Sequence, residues 1–273
     1  MAATLFPHTF EFCTLASGSS GNCHYFGNEE EGILVDAGIS ARRIKKSLDE
    51  IGIGIQKIKA VFITHDHIDH ISALTRLTKH YQIPVYCTEG TWKGILRNRA
   101  TFDVDQSMYH EIKPFKRYLA GGFAVEAFPT SHDAHGSVGY NISNNIKSIT
   151  LATDLGYICD NASRYLRQCD AMVLESNYDE NMLLFGSYPQ QLKQRIHGPT
   201  GHLCNSHTAN FIAENYHNGI SHILLSHLSA ENNTPVRAME TLQEAFANKG
   251  VTVNGTVIKA LARGERSELY FLE

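Results

Sequence analysis

The segment His65-Asp66-His67-Ile68-Asp69-His70 directly follows an apolar run, Ala60 to Ile63, that reads as a strand. Residues i and i+2 of an extended chain point to the same side, so His65 and His67 can grip one metal ion together. If the chain then turns, Asp69 and His70 are presented to a neighbouring point where a second ion can sit. The cluster is internal and sits behind a core strand, which argues against an expression tag or a stray surface patch. Any fold this chain adopts must bring further ligands to that strand end.

Three other apolar runs end on a potential ligand. His132 follows Phe128-Pro129-Thr130-Ser131, Asp154 follows Ile149 to Thr153, and His227 follows Ile223 to Ser226. Sites in layered α/β folds gather at strand ends, where loops converge and the sheet stays rigid. Each of the three taken alone reads as structural; beside the first cluster they read as ligands. Imidazole and carboxylate without thiolate suit zinc, and also manganese or iron. The cysteines, Cys13, Cys23, Cys87, Cys159, Cys169 and Cys204, form no Cys-x-x-Cys pair, so zinc-ribbon and thioredoxin spacings are absent. Their scatter reads as a reduced, cytoplasmic protein.

Short β-like runs come first: Phe10 to Leu15, His24 to Phe26 and Ile33 to Val35, separated by the turn signals of residues 17–22 and Gly27-Asn28. Ser40 suits the cap of a helix carrying Ile44, Leu48 and Ile51. A helix over Ile71 to Tyr81 and a strand over Pro84 to Cys87 follow. The second half repeats the style, with strands at Phe123 to Phe128, Val138 to Ile142, Ile149 to Ala152, Ala171 to Leu174 and Ile220 to Leu225. Its helices span Tyr188 to His197, Asn205 to Tyr216 and Pro235 to Asn248, the last started by Thr234-Pro235 and stopped by Gly250. Strands early in each half, then alternating strands and helices, suggest two packed sheets with helices outside. No Pro/Gly/Ser-rich linker divides the chain, so residues 1–273 read as one domain.

Apolar residues make up 42% of the 273 and charged residues 19%, enough for a core that folds without disulfides or a structural metal. Met1 to Phe10 lacks a basic stretch followed by an apolar run, and no segment approaches a membrane span. The formal net charge is −4. A nucleic-acid binder that works mainly by charge is usually basic, so such a role must rest on local patches. The basic groups are short: Arg42, Arg43, Lys45 and Lys46; Lys113, Lys116 and Arg117; Arg164 and Arg167. Each also reads as a solvated face.

The order His65-x-His67-x-Asp69-His70, His132, Asp154, His227 resembles the metallo-β-lactamase superfamily, nearly end to end. The resemblance implies a four-layer αββα fold, two mixed β-sheets flanked by helices, and two divalent metal ions, zinc or manganese. It gives His65, His67 and His132 to one ion, Asp69, His70 and His227 to the other, and Asp154 to both. Iron-type oxidoreductases of the superfamily carry Glu at the position of His67, so redox chemistry is disfavoured. Asp36, in Ile33-Leu34-Val35-Asp36-Ala37-Gly38, resembles the superfamily's early aspartate; it would accept a hydrogen bond from a ligand histidine and fix its tautomer, or serve only as a turn residue.

Further segments are similar to the bacterial YycJ (WalJ) family: residues 12–23, residues 151–157, Leu174 to Asp179, Gly201 to Asn205 and Ser226 to Ser229. That family is regarded as DNA exonucleases acting 5′ to 3′ on double strands, with a proposed link to mismatch repair. The resemblance makes DNA the expected partner; Asp69 and Asp154, holding the metals and orienting a water, and His202 are the candidate catalytic residues. The loop with Ser19, Ser20 and Asn22 can form an anion-binding nest or a tight turn. Asn205 can cap the helix it begins or, at that N-terminus, meet phosphate. His202 can protonate a leaving oxygen or be a hydrogen-bonded structural residue. The metal motif alone does not choose the substrate: a small-molecule hydrolase of thioesters or cyclic phosphodiesters is the alternative, and a metal-binding scaffold without turnover the third reading.

Overall fold

A computed structural model describes residues 9–272. Sheet one is ordered β14-β1-β2-β3-β4-β5-β6. Its strands are β1 (Phe10–Ala16), β2 (Cys23–Gly27), β3 (Gly32–Val35), β4 (Ile58–Phe62), β5 (Val85–Cys87), β6 (Tyr109–Glu111) and β14 (Tyr270–Leu272). Sheet two is ordered β13-β12-β11-β10-β9-β8-β7. It holds β7 (Arg117–Ala120), β8 (Phe123–Pro129), β9 (Val138–Ser143), β10 (Ser148–Ala152), β11 (Ala171–Glu175), β12 (His222–Ser226) and β13 (Val257–Ala260). Strands β3 to β6 pair in parallel, as do β10 to β13, and the other pairs are antiparallel.

The helices are α1 (Ala41–Glu50), α2 (Ile68–Ile71), α3 (Leu74–Tyr81), α4 (Glu89–Arg97), α5 (Asp160–Leu166), α6 (Glu180–Phe185), α7 (Gln190–His197), α8 (Asn205–Asn215) and α9 (Pro235–Lys249). Alternate residues of a strand face opposite sides, and in this chain both sides of the central strands are apolar. Ala60 and Phe62 of β4 pack between the sheets with Tyr140, Leu151 and Val173. Val61 and Ile63 pack outward with Ile44, Leu74 and Leu77 of the helices. Leu174, Ile223 and Leu225 do the same on sheet two, against Ile212 and Leu242. Strands buried on both faces need helices on the outside, which gives the four layers αββα. Among the described residues no helix is long and apolar enough to cross a membrane; Met1 to His8 of the N-terminal segment read above lie outside them.

Several expected elements shift. The helix expected over Ile71 to Tyr81 is two pieces, because the Ala73 N–H is drawn to the Ala37 carbonyl at 2.9 Å instead of continuing the first piece. Helix α7 starts at Gln190, after Pro189. Asn205 does not cap α8; Cys204 holds the cap position and Asn205 is the first helical residue. Helices α4, α5 and α6 and the edge strands β6, β7, β13 and β14 carry no expectation from the sequence.

The sheets are tied by a polar bond as well as by apolar packing. Tyr140 is fully buried and its hydroxyl donates to the Ile63 carbonyl at 2.7 Å, just before His65. Tyr140→Phe should cost about 1–3 kcal/mol by leaving that carbonyl unpaired. Urea unfolding reads this directly, and an unchanged midpoint would remove the bond from the ties between the sheets.

Candidate metal centre

Parallel strands end on the same side of a sheet, and in both sheets the chain leaves that side through polar residues. Asp36 follows β3, Thr64 and His65 follow β4, Asp154 follows β10, Glu175 ends β11 and His227 follows β12. Asp36, Asp154 and His227 adopt left-handed backbone, with φ of 62°, 59° and 57°. That conformation costs a non-glycine residue about 1–2 kcal/mol. It turns the chain sharply at the strand end, and such outliers cluster at functional sites.

His65, His67 and His132 each bring one ring nitrogen to a common point, the three atoms lying within 4.8 Å of one another. Asp69, His70 and His227 make a second such group, within the same 4.8 Å. Asp154 stands between them, with Oδ2 3.3 Å from His70 Nε2 and Oδ1 3.8 Å from His132 Nε2. All seven residues read as ligands from the sequence therefore converge.

The supports around them set which atoms are free. Asp36 is buried; it accepts from His70 Nδ1 at 2.7 Å, from the Thr64 N–H at 2.9 Å and from the Thr64 hydroxyl at 2.9 Å. The Thr64 hydroxyl in turn lies 3.0 Å from His65 Nδ1. These contacts leave the Nε2 atoms of His65 and His70 facing the centre. His65 Nε2, His227 Nε2 and Asp154 Oδ2 are buried with no hydrogen-bond partner. An unpaired buried polar atom costs about 1–3 kcal/mol, and three of them on one nitrogen-and-oxygen donor set fit divalent cations.

Charge follows the same arrangement. Burial opposes the His70 imidazolium, yet Asp36, Asp154 and Asp69 outweigh it and hold its pKa up at about 9. Burial and the neighbouring His70 push His65 well below the usual histidine range. Burial would raise the Asp154 carboxyl, but His227, His70 and His65 hold it well below the usual carboxylate range.

Glu175 is the residue that sequence reasoning missed. It is fully buried, and Oε1 accepts from His202 Nδ1 at 2.7 Å and from His227 Nδ1 at 2.9 Å. Oε2 accepts the Leu155 N–H at 2.7 Å. The signal was present, since Glu175 ends an apolar strand as Asp154 follows one. His202 is partly exposed, with Nδ1 3.6 Å from Asp154 Oδ1. Burial opposes its charge, and Glu175 overrides it to raise the pKa.

The expected substrate residues divide. Ser19 and Ser20 are exposed at the tip of their loop. The loop is a tight turn rather than an open nest: Gly21 N–H donates to the Gly18 carbonyl, Asn22 N–H to the Asp69 carbonyl and Gly18 N–H to Asn22 Oδ1. Asn22 is buried and turned inward, with Nδ2 3.0 Å from His70 Nε2. Asn205 is also buried, and its amide is spent on a two-way bond to the Asn233 amide and on the Ser176 hydroxyl. Its carbonyl oxygen accepts from both, and one amide hydrogen goes to Asn233.

Outer partners of a ligand histidine typically matter 10–100-fold for metal affinity. Asp36→Asn should therefore weaken zinc binding by about 10–100-fold, as read by competition with a chromophoric chelator. Wild-type affinity in that variant would separate Asp36 from the metal centre.

The chain and its fold are similar to those of known proteins. Residues 32–227 match the family described as "Beta-lactamase superfamily domain". The chain is 35% identical to "Exodeoxyribonuclease YycJ" of Bacillus anthracis over 242 residues, 89% of this chain and 91% of that protein. It is 36% identical to "Exodeoxyribonuclease WalJ" of Streptococcus pneumoniae over 247 residues, covering 90% and 92%. The crystal structure of the metallo-β-lactamase fold protein YhfI from Bacillus subtilis superposes with a TM-score of 0.69 at 14% identity, over 96% of this chain and 99% of that one. Zinc-bound PqqB from Methylobacterium extorquens gives the same TM-score of 0.69 at 15% identity, over 94% and 99%. The chain belongs to the metallo-β-lactamase superfamily of hydrolases and, within it, to the family of the YycJ and WalJ exodeoxyribonucleases.

Proposed function

We propose that this hydrolase is a divalent-metal-dependent phosphodiesterase that removes nucleotides from DNA in the 5′ to 3′ direction, residues 1–273 acting as one domain. The observation that carries the DNA reading is the likeness to named exodeoxyribonucleases along about nine-tenths of the chain, at 35% and 36% identity. The site supports the chemistry. His65, His67 and His132 would hold one ion, Asp69, His70 and His227 a second, and Asp154 both, with zinc or manganese suited to these donors. Bound there, the ions supply Lewis acidity toward a phosphoryl oxygen and a water more acidic than bulk.

The chain's own groups do the rest. Asp36 and Thr64 fix the ring of His70, and Glu175 fixes those of His202 and His227. Asp69 and Asp154 orient the attacking water. With Nδ1 engaged by Glu175, His202 has Nε2 available to give a proton to the sugar oxygen as its bond to phosphorus breaks.

End-labelled DNA incubated with metal-loaded protein tests the reading. Shortening from the 5′ end supports it. Intact DNA beside rapid cleavage of a thioester or a cyclic dinucleotide would replace it with a small-molecule hydrolase.

Two variants separate the roles. Asp154→Ala should lower turnover at least about 100-fold, the usual scale for losing a preorganised electrostatic contact, while the apolar core keeps it folded. His202→Ala should keep its metal content and lose turnover, most of all for diesters with a poor leaving group. Metal analysis with turnover decides: a His202→Ala protein that loses metal, or works at the normal rate, has no proton to give.

A further inference from the structure

A chain of formal charge −4 is assigned a polyanionic substrate, so the position of its free cations matters. Of the Arg42–Lys46 group, Lys45 pairs with Asp49 and Lys46 with Glu50, and Arg43 donates to the Gly264 carbonyl. Lys79, Arg195, Arg237 and Lys249 are likewise paired, with Asp103, Asp133, Asp179 and Glu214. Among the described residues, the exposed arginines with no carboxylate partner are Arg42, Arg76, Arg97, Arg99 and Arg263, together with Arg164 and Arg167 on and just after α5.

Three of these arginines are carried by elements that border the His65–His67 rim of the centre: α4, the loop after it, and the α3 turn that this loop meets. Helix α4 runs along that rim. A Cβ at Gly94 would lie 1.8 Å from Asp66 Oδ2, so the helix touches the segment between the two histidines. The loop after α4 is held against the first turn of α3, the Thr75 hydroxyl donating to the Ala100 carbonyl at 3.4 Å. Arg97 ends the helix, Arg99 lies in the loop and Arg76 stands on the α3 turn. Phe102, 67% exposed, adds an aromatic face.

Arg263 and Arg42 are carried by the turn and helix on the Asp69–His70–His227 side. The stem of Arg263 lies on Gly18, where a Cβ would be 2.6 Å from its Cγ and 3.4 Å from the Leu228 carbonyl. The Arg263 turn is fixed by the Arg43 bond to Gly264 and by the Gly264 N–H to the Ser17 carbonyl at 3.1 Å. Gly18 joins the centre through Asn22, which reaches His70. Ser19 and Ser20 are exposed on the same loop, and Arg42 is exposed in the first turn of α1.

We infer that these two arginine groups form a phosphate track that lays a DNA duplex across the histidine–aspartate cluster. Arg76, Arg97 and Arg99 hold the backbone on one side, and Arg42 and Arg263, with the Ser19 and Ser20 hydroxyls, hold it on the other. The track rests on the nuclease reading and gives it a docking surface. Guanidinium forks pair with phosphate oxygens, and backbone contacts carry no sequence preference, as suits an enzyme that digests any end. Cations concentrated at the cleft steer a polyanion there despite a negative total.

The test is binding of a fluorescent phosphorothioate duplex, which resists cleavage, to the metal-loaded protein. Arg97→Glu/Arg99→Glu and, separately, Arg263→Glu should each raise Kd at least about tenfold at 0.1 M salt. Each should also reduce the slope of log Kd against log salt concentration by roughly one for every phosphate left without its guanidinium. Arg164→Glu/Arg167→Glu makes the same charge change as the first pair, on and just after α5 rather than beside the centre. It should leave Kd within about twofold. Melting temperatures confirm that each variant is folded. Equal weakening by both double variants, no weakening by the rim variants, or a wild type that binds no duplex overturns the track. Wild type that binds through these arginines but cuts no DNA overturns the nuclease reading and keeps the track; wild type that cuts DNA with a Kd blind to both rim changes overturns the track alone.

Discussion

The structure depends on one constraint: parallel strands of two stacked sheets end on the same side of the molecule. β3 and β4 bring Asp36, Thr64 and His65 to that side from one sheet. β10, β11 and β12 bring Asp154, Glu175 and His227 from the other. Apolar packing between the sheets, with Phe62 against Tyr140, sets how the two rows of polar ends meet. The chemistry is thus placed by the core, and no single loop carries the whole site.

The centre is costly to build. Three non-glycine residues hold left-handed backbone at strand ends, and three polar atoms are buried without a partner. Each is a penalty of order 1–3 kcal/mol, which a core with apolar residues on both faces of its strands can bear. The penalties are also localised, because Asp36, Thr64 and Glu175 are rigid, buried supports. Histidines whose rings are already oriented bind a cation without first losing that freedom.

The candidate ligands were legible because His65, Asp154 and His227 each sit two residues beyond an apolar run and His132 follows another, and the spacing of His65, His67, Asp69 and His70 is too specific for a surface patch. The sheets were legible from short runs that are largely apolar, with isolated polar residues such as Glu11, Glu126 and Asn141. Short or exposed elements were not: β6 and β13 have three and four residues, too few to show a period, and α6 has six. Asn205 misled because a polar residue at a helix start looks like a cap, whereas tertiary amide pairing with Asn233 decides its place. Glu175 escaped although it ends an apolar strand, because its partners, His202 and His227, are 27 and 52 residues away and its position alone does not say which rings it serves.

That single carboxylate oxygen has a consequence of its own. Oε1 of Glu175 is shared by a ring of the histidine–aspartate cluster and by the ring next to it that is partly open to solvent. The two rings are therefore not independent parts. Anything that strengthens the pull on His227 withdraws electron density from the bond to His202, and the reverse holds. Under the roles proposed above, cation retention by His227 and acid strength at His202 would be joined at one atom, so a change in one would carry the other with it.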